Sequence, residues 1–567
     1  VTTRRAVILA VIAAVLIASA AVRLVRLGTP DDYIFDEVYY AKDAKALLDG
    51  RIGPEKGTSW LPGDEISWPH PYYGKLAIAA GIALFGDNAF GWRFAPALAG
   101  IALLALVYPT ARRLGLRREW ALLALILAAA DVLGIAQSRI ATLDIFLGLW
   151  TILTVYLTLR AVQGRHRVVW LALAGLSAGM ALGTKWSGLL ASLAALALVL
   201  VLSRASSDRS AEPPSVGADV ALETDRDGAA EGDPHESAAE DRRTRRHSTA
   251  HRWVPSRTTV GRALTAVALL VVLPCALYVA SYGVYFAAGH GLADWWHLQR
   301  EMWTFNMNLD ATHTYASLAP TWILDVRPVW YHFEEYAAQY YGVVAMGHPI
   351  LWWASIVALL TLPVVALVDR DRDLALPVLL VALLYFPWFA ATRTSFLYYM
   401  TPVAPFLAIM VAAALARLAG RPPRLRPDGP GGESLTIGPP KPLRRAARRR
   451  GLPPSLVWRA AVFLGTAVVI ALFWWQIGRL VATVFYEWPA TLAPAVGIAV
   501  ATVAGAAAVL ILAWAFTRPG MARAWRYVAW AFCGAIVGFA IVFAPIVLDI
   551  PLVPDEFYRR IWLPTWL

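Results

Sequence analysis

Long apolar runs separated by short polar connectors dominate the chain. A helix crosses the hydrocarbon of a bilayer with about 20 mainly apolar residues. By that measure the pattern predicts spans near 6–27, 91–111, 119–137, 142–160, 168–185, 187–203, 260–287, 349–369, 373–391, 397–418, 457–482, 490–516 and 526–548. Segment 76–86 is apolar but short, and reads as an interfacial or re-entrant element. Residues 6–22 follow Arg4 and Arg5 in the manner of a signal peptide. Arg23 and Arg26 come next, and no clear small-residue cleavage site precedes the acidic stretch, so the expectation is a retained first helix. Connectors 111–119, 160–167, 421–450 and 517–526 are rich in Arg and alternate with connectors poor in it. The basic set is therefore expected to be cytoplasmic. That arrangement puts the N-terminus inside, and 28–90, 288–348 and the tail from Asp549 outside.

Composition agrees. Of 567 residues, 58% are hydrophobic and 16% charged, with a mean hydropathy of +0.54; a soluble globular domain is less apolar than this. The expected class is an all-α polytopic membrane protein. A net charge of +12 would by itself suit a nucleic-acid partner, but the excess Lys and Arg flank apolar runs instead of forming a stripe, so none is expected. Cys275 and Cys533 lie inside apolar runs and read as small hydrophobes, not a disulfide. The expected organisation begins with a transmembrane region over 1–203, its first outer loop at 28–90, and a disordered cytoplasmic loop 204–257 with few aromatics and many charges. A second transmembrane region over 258–420 follows, with outer loop 288–348. A basic linker 421–455, read as lying on anionic headgroups, and a C-terminal transmembrane region over 456–567 complete it.

The outer connectors carry the candidate chemistry. "YIFDEVYYAKDA" (33–44) puts Asp36 and Glu37 side by side at the exit of the first span. Residues 33–48 read as a helix along the interface, with Asp36, Tyr40 and Asp43 on one face and Glu37 about 100° away. Taken alone, the pair also fits a solvated helix start. His70 and Lys75, Arg93, Arg139 and Asp144, Lys185 and Arg393 are all placed toward the same outer edge. Each alone fits a snorkelling side chain; together, ionisable groups from several spans on one face mark a functional site. A carboxylate opposite several cations suits a general base facing a phosphate that is bound or leaving. With no G-x-x-x-x-G-K-[ST] loop, that phosphate is expected on a lipid-linked donor. The tryptophans of 293–305, 321–336 and 347–354 fit an interfacial belt or stacking on sugars and acyl chains equally. No His/Asp/Glu cluster has metal-ligand spacing, so no metal is assigned and no cofactor beyond the donor, although a divalent ion sharing the phosphate stays open.

"FDEVYYAKDA", "HPYYGKLAIAAG", "WRFAPALAG", "SRIATLDIF", "GTKWSGL", "LDVRPVWYHFE", "GHPILWW", "FLYYMTPVAPF" and the ending "FYRRIWLPTWL" resemble, in order, the protein O-mannosyltransferases, and in particular their actinobacterial members. The resemblance implies a GT-C fold of about 11–13 transmembrane helices with its site in the first outer loop. It implies a polyprenyl-phosphate mannose donor, inversion at the anomeric carbon, and Ser/Thr hydroxyls of exported proteins as acceptors, met at the outer face of the cytoplasmic membrane near the Sec translocon. Carried over, Asp36 would be the general base and Glu37 would position acceptor or loop. His70, Lys75, Arg93, Arg139, Asp144, Lys185 and Arg393 would bind or orient substrate, chiefly the donor phosphate. Tyr72 departs from the family's second proline in His-Pro-Pro-x-x-Lys, and 288–348 is too short for the β-trefoil-rich domain of eukaryotic relatives. The alternatives are a lipid-donor glycosyltransferase acting on a lipid or cell-wall glycan, and a transporter or flippase.

The topology has a direct test. Single cysteines placed at 230 and 435 should resist a membrane-impermeant thiol reagent in intact cells, while one at 310 should react; labelling at 230 from outside would overturn the orientation.

Overall fold

The computed structural model describes residues 2–50, 69–210, 257–309, 312–368, 371–391, 393–421, 423–424 and 522–567. The expected spans 457–482 and 490–516, and most of the expected 204–257 loop and 421–455 linker, lie outside the described residues. Helices dominate. The first is α1 (Thr2–Leu24), followed by α2 (Glu37–Leu48), α3 (Tyr73–Phe85), α4 (Ala89–Arg113) and α5 (Arg118–Ala129). Then come α6 (Val132–Gln137), α7 (Asp144–Gln163), α8 (Arg167–Leu182) and α9 (Leu189–Ser210). After them run α10 (Arg257–Val267), joined through a π-helical turn to α11 (Leu273–Ala280), then α12 (Leu292–Asn308), α13 (Pro349–Val368), α14 (Arg372–Tyr385), α15 (Ala404–Leu418) and α16 (Ala522–Phe543).

Among the described residues, 8 helices are long and apolar enough to cross a membrane. Several apolar runs turn out to be interrupted. The run 119–137 is two helices, because Asp131 breaks the chain and caps α6, its carboxylate accepting the Gly134 N–H at 3.2 Å. The run 397–418 opens as a 3₁₀ turn (Leu397–Met400) before α15 begins, and α3 has 13 residues, short of a span. Helix α15 is deeply enclosed: most of its residues are buried, within one apolar core shared with α4, α5, α7, α13 and α14.

Close helix crossings come from small residues. Gly175 and Gly179 stand four apart on α8, and α10–α11 lies directly against them. A Cβ on Gly175 would come within 1.9 Å of the Leu269 carbonyl oxygen, and one on Gly179 within 2.5 Å of Leu277. In a membrane such surfaces let backbones approach and gain dispersion contacts that lipid would otherwise supply.

One element departs from the all-helical expectation. The segment 329–345 forms an antiparallel hairpin of β1 (Val329–Tyr336) and β2 (Gln339–Ala345). Its two-residue turn has Ala337 and Ala338 both at positive φ, 51° and 59°, the geometry that hairpins favour but with neither the Gly nor the Asn that usually announces it. The C-terminal tail returns to this loop: Leu552 bridges Tyr340, the Trp330 indole donates to the Trp566 carbonyl at 2.7 Å, and the Trp566 indole donates to the Asp325 carbonyl at 2.7 Å.

The glycine crossing should be intolerant of bulk. Gly175→Leu would collide with backbone, not with a yielding side chain, so melting of the detergent-purified protein should drop by several degrees, or folded yield should be lost. Wild-type melting in that variant would show that α8 and α10–α11 are not in contact.

Candidate active site

Residues 25–36 must turn from the end of α1 into α2, and two buried arginines hold the turn. Arg139 donates to the carbonyls of Val22, Arg23, Val25 and Arg26 at 2.7–3.1 Å, satisfying the acceptors that the end of a helix leaves unpaired. Arg93, on α4, donates to the carbonyls of Leu27, Pro30 and Asp32 and grips Glu37 with two bonds of 2.8 Å. Glu37 also accepts the N–H of Ala141 at 2.8 Å and of Ile34 at 3.0 Å. Both side chains of the Glu37–Arg93 pair are fully buried. With two carboxylate oxygens receiving four bonds, this is a buried ion pair whose hydrogen-bonding capacity is well met. The expectation that Arg93 and Arg139 hold a donor phosphate does not fit these contacts: their N–H groups are directed at the protein itself. Glu37 fits the loop-positioning half of its expected role.

Asp36 precedes this pair and begins α2, so a capping carboxylate is the ordinary expectation. Its side chain caps nothing. The preceding residue explains the aim: Phe35 has φ 48°, a left-handed conformation a bulky residue rarely adopts. Its ring is held against Tyr331 (centroids 4.7 Å apart) and edge-on to Tyr398 (5.8 Å). The aromatics around "FDE" are thus partly a clamp, with Tyr33 also stacked on Trp92 at 4.0 Å. Burial raises the Asp36 carboxyl to about 7; the positive charge of Lys185 opposes this, Asp144 adds to it, and a hydrogen bond from Tyr398 opposes it.

The remaining expected residues fall into two groups. Lys75, on α3, is buried against Asp43 of α2 at 2.9 Å, which locks the two short helices together. Lys185 bonds both carboxylate oxygens of Asp144 at 3.0 Å and lies over the Tyr399 ring at 4.5 Å. Lys185, His70 and Arg393 share the wall of a cavity of about 400 Å³ that continues between Leu189, Leu190, Met307 and Trp388. Arg393 donates to Asn306 and reaches the Tyr399 hydroxyl at 3.5 Å. Burial, reinforced by Lys185, Lys75 and Arg393, pushes the His70 imidazole well below its usual range, so it stands neutral at pH 7. Asp36 does not line this cavity but feels Lys185 on its wall. The geometry therefore supplies a carboxyl able to accept a proton near pH 7, beside a cavity with two cations at one end and an apolar remainder. Among the described residues no three His, Cys, Asp or Glu side chains converge.

Sequence reasoning missed Tyr398, Tyr331 and the support of Tyr331, whose hydroxyl receives a bond from Gln137 at 2.6 Å while Gln137 accepts from Thr142 at 2.8 Å. Both tyrosines stand in quoted motifs, "FLYYMTPVAPF" and "LDVRPVWYHFE", and the polar positions of 137–142 between apolar stretches were a further signal.

Residues 13–210 match the family described as dolichyl-phosphate-mannose-protein mannosyltransferase, and residues 291–484 match its C-terminal four-transmembrane region. The polyprenol-phosphate-mannose–protein mannosyltransferase of Mycolicibacterium smegmatis is 26% identical over 469 residues, covering 72% of this chain and 82% of the relative. That of Corynebacterium glutamicum is 25% identical over 451 residues, covering 70% and 78%. Among solved structures, the S. cerevisiae protein O-mannosyltransferase Pmt1–Pmt2 complex bound to the sugar donor aligns with a TM-score of 0.63 at 13% identity, over 99% of this chain and 92% of that one. That likeness shows a GT-C helical fold.

The two adjacent carboxylates should behave oppositely on mutation. Glu37→Ala leaves Arg93 buried and unpaired, at a cost of about 3–5 kcal/mol. Asp36 binds its proton more tightly folded (about 7) than unfolded (3.8), so its ionisation makes stability fall as pH rises between those values. Asp36→Asn should therefore melt above the parent, by a margin that widens from about pH 4 to 7 and is constant beyond. Parallel melting curves across that range would show instead that Asp36 has an ordinary carboxyl pKa.

Proposed function

The chain belongs to the dolichyl-phosphate-mannose-protein mannosyltransferase family, and from that premise we propose that it transfers mannose from a polyprenyl-phosphate carrier to Ser or Thr hydroxyls of exported proteins. The alternation of basic connectors supports placing Asp36 at the extracytoplasmic face of the cytoplasmic membrane. Acceptors would then arrive as they emerge from export, near the translocon.

The observation that carries the reading is Asp36, aimed away from helix capping and raised to about 7, beside a cavity bearing Lys185 and Arg393. The donor's phosphate sits against these two cations, and its prenyl chain follows the apolar wall past Leu189, Leu190 and Trp388. Asp144 holds the Lys185 ammonium in place from behind. The Asp36 carboxylate takes the proton of the acceptor hydroxyl as that oxygen forms its bond to the anomeric carbon. The bond from that carbon to the phosphate oxygen breaks, and the electron pair leaves on the phosphate, where the two cations stabilise it. Attack and departure on opposite faces invert the configuration. His70, neutral, contributes a hydrogen bond without adding charge. Glu37, Arg93 and Arg139 act through the loop, as positioning residues.

Membranes carrying the protein, given radiolabelled polyprenyl-phosphate mannose and a Ser/Thr/Pro-rich peptide, test the reading. Peptide labelling should fall about 10²- to 10⁴-fold in Asp36→Asn at matched protein levels, with donor binding nearly unchanged. The parent kcat/KM should rise with pH up to about 7 and level off as Asp36 deprotonates. Lys185→Ala and Arg393→Ala should instead weaken donor binding. A fully active Asp36→Asn would refute the base assignment. Labelling of a lipid or glycan with none of the peptide would assign the acceptor to the alternative class.

A further inference from the structure

A second charged cavity lies at the other end of the bundle. From Arg93 to the end of α4 at Arg113 the helix runs about 30 Å, one hydrocarbon thickness, and the cavity opens just past that end. It has a volume of about 290 Å³ and is lined by Arg117, Glu119, Trp120, Leu123, Arg421, Arg526 and Trp530, near the small end of ligand pockets. Its three arginines come from separate places: the start of α5, the exit of α15 and the first turns of α16. Against one glutamate they leave a net double positive charge, and among the described residues no hydrogen bond or ion pair engages their guanidinium groups.

Two further observations make this a built site. Trp120 is 5% exposed, lines the cavity, and its indole N–H has no hydrogen-bond partner among the described residues. A buried donor without an acceptor costs stability unless something supplies one. The α4–α5 turn is also rigid: Gly115 (φ 90°) packs on the backbone of Arg424, whose N–H donates to the Gly115 carbonyl at 2.8 Å, and Arg424 pairs with Asp371. Three guanidinium groups and a buried, unpartnered indole thus line one cavity at the depth where headgroups lie, with Leu123 and Trp530 as its apolar side.

We propose that this cavity binds a phosphate group, carried by an anionic phospholipid of the leaflet opposite the Asp36 site. Fork-shaped donors match phosphate oxygens, and the ring of Trp530, 52% exposed, suits the acyl–headgroup boundary.

The test uses the full chain purified in dodecylmaltoside, with binding followed by native mass spectrometry and by melting temperature. The probes are dioleoylphosphatidylglycerol, zwitterionic dioleoylphosphatidylcholine, and sodium phosphate. Phosphatidylglycerol should bind saturably and raise the melting temperature, phosphatidylcholine should do neither, and Arg421→Gln with Arg526→Gln should weaken binding about thirtyfold. Trp120→Phe, which keeps an aromatic ring but removes the indole N–H, should weaken it roughly two- to tenfold. If sodium phosphate competes with the lipid, a free phosphate anion suffices to occupy the site; if it does not, the site requires the anionic lipid. Both outcomes support the site. Equal binding of phosphatidylcholine, or parent-like binding by the double variant, overturns the proposal. Should the double variant fail to fold, Arg117→Gln alone is judged by the same criterion.

Discussion

A carboxylate removed from water must be fully paired or neutral, and Glu37 is paired. Arg93 binds it through two nitrogens, two backbone amides complete its shell, and the same arginine collects three carbonyls from the turn before it. The bonds join α2, α4, the α6–α7 connector and the exit of α1 at one point. Breaking a buried pair costs more than the pair nets in forming, so these elements cannot drift apart separately. The position of Asp36, one residue away, is a consequence. Its neighbour's side chain is anchored on one side and Phe35 is wedged among aromatics on the other, which leaves its own carboxylate little choice of direction.

The same rule sorts the other charges. Lys75 with Asp43 and Lys185 with Asp144 are both buried pairs, yet they differ in what surrounds them. The first joins two short helices inside the fold. The second sits on a cavity wall with Arg393 and His70 nearby, so Lys185 keeps directions in which a ligand can approach. A cation held by one carboxylate in a low-dielectric wall arrives at the substrate already oriented, with no solvent shell to rearrange as charge develops. Arg139, whose donors are taken up by carbonyls at and just past the end of α1, has no such freedom.

How much of this was legible in the chain depends on the distance over which each signal acts. Apolar runs and basic connectors are local, and they gave the helical membrane architecture; the Asp36–Glu37 pair at a span exit is local too. Which cation serves structure and which faces a ligand is not. Glu37 and Arg93 are 56 residues apart, and Arg139 meets the carbonyls at and just past the end of α1 across 113 to 117, so nothing near either arginine distinguishes it from Lys185. The hairpin at 329–345 escaped because Ala337 and Ala338 take positive φ without the residues that normally mark it. Asp131 inside an apolar run was a visible interruption, but hydropathy averages over it, and only its bonds to Gly134 and Trp352 show that it ends one helix and starts another.

The raised carboxyl of Asp36 follows from the same architecture and carries a constraint of its own. A base must be desolvated enough to hold a proton near neutral pH, yet remain ionised often enough to accept one. Burial alone would push a carboxyl too far, as it does for Asp325, which sits far above the usual carboxylate range with one backbone amide for support. Asp36 stops at about 7 because Lys185 and the Tyr398 hydroxyl stabilise its anion. The cation that would hold the leaving phosphate therefore also sets the strength of the base. A bound phosphate would neutralise part of the Lys185 charge and raise Asp36 further, so that it binds its proton more tightly but leaves a smaller ionised fraction at pH 7. Donor binding and base strength are therefore coupled through one ammonium group, and the two demands on Asp36 oppose each other there.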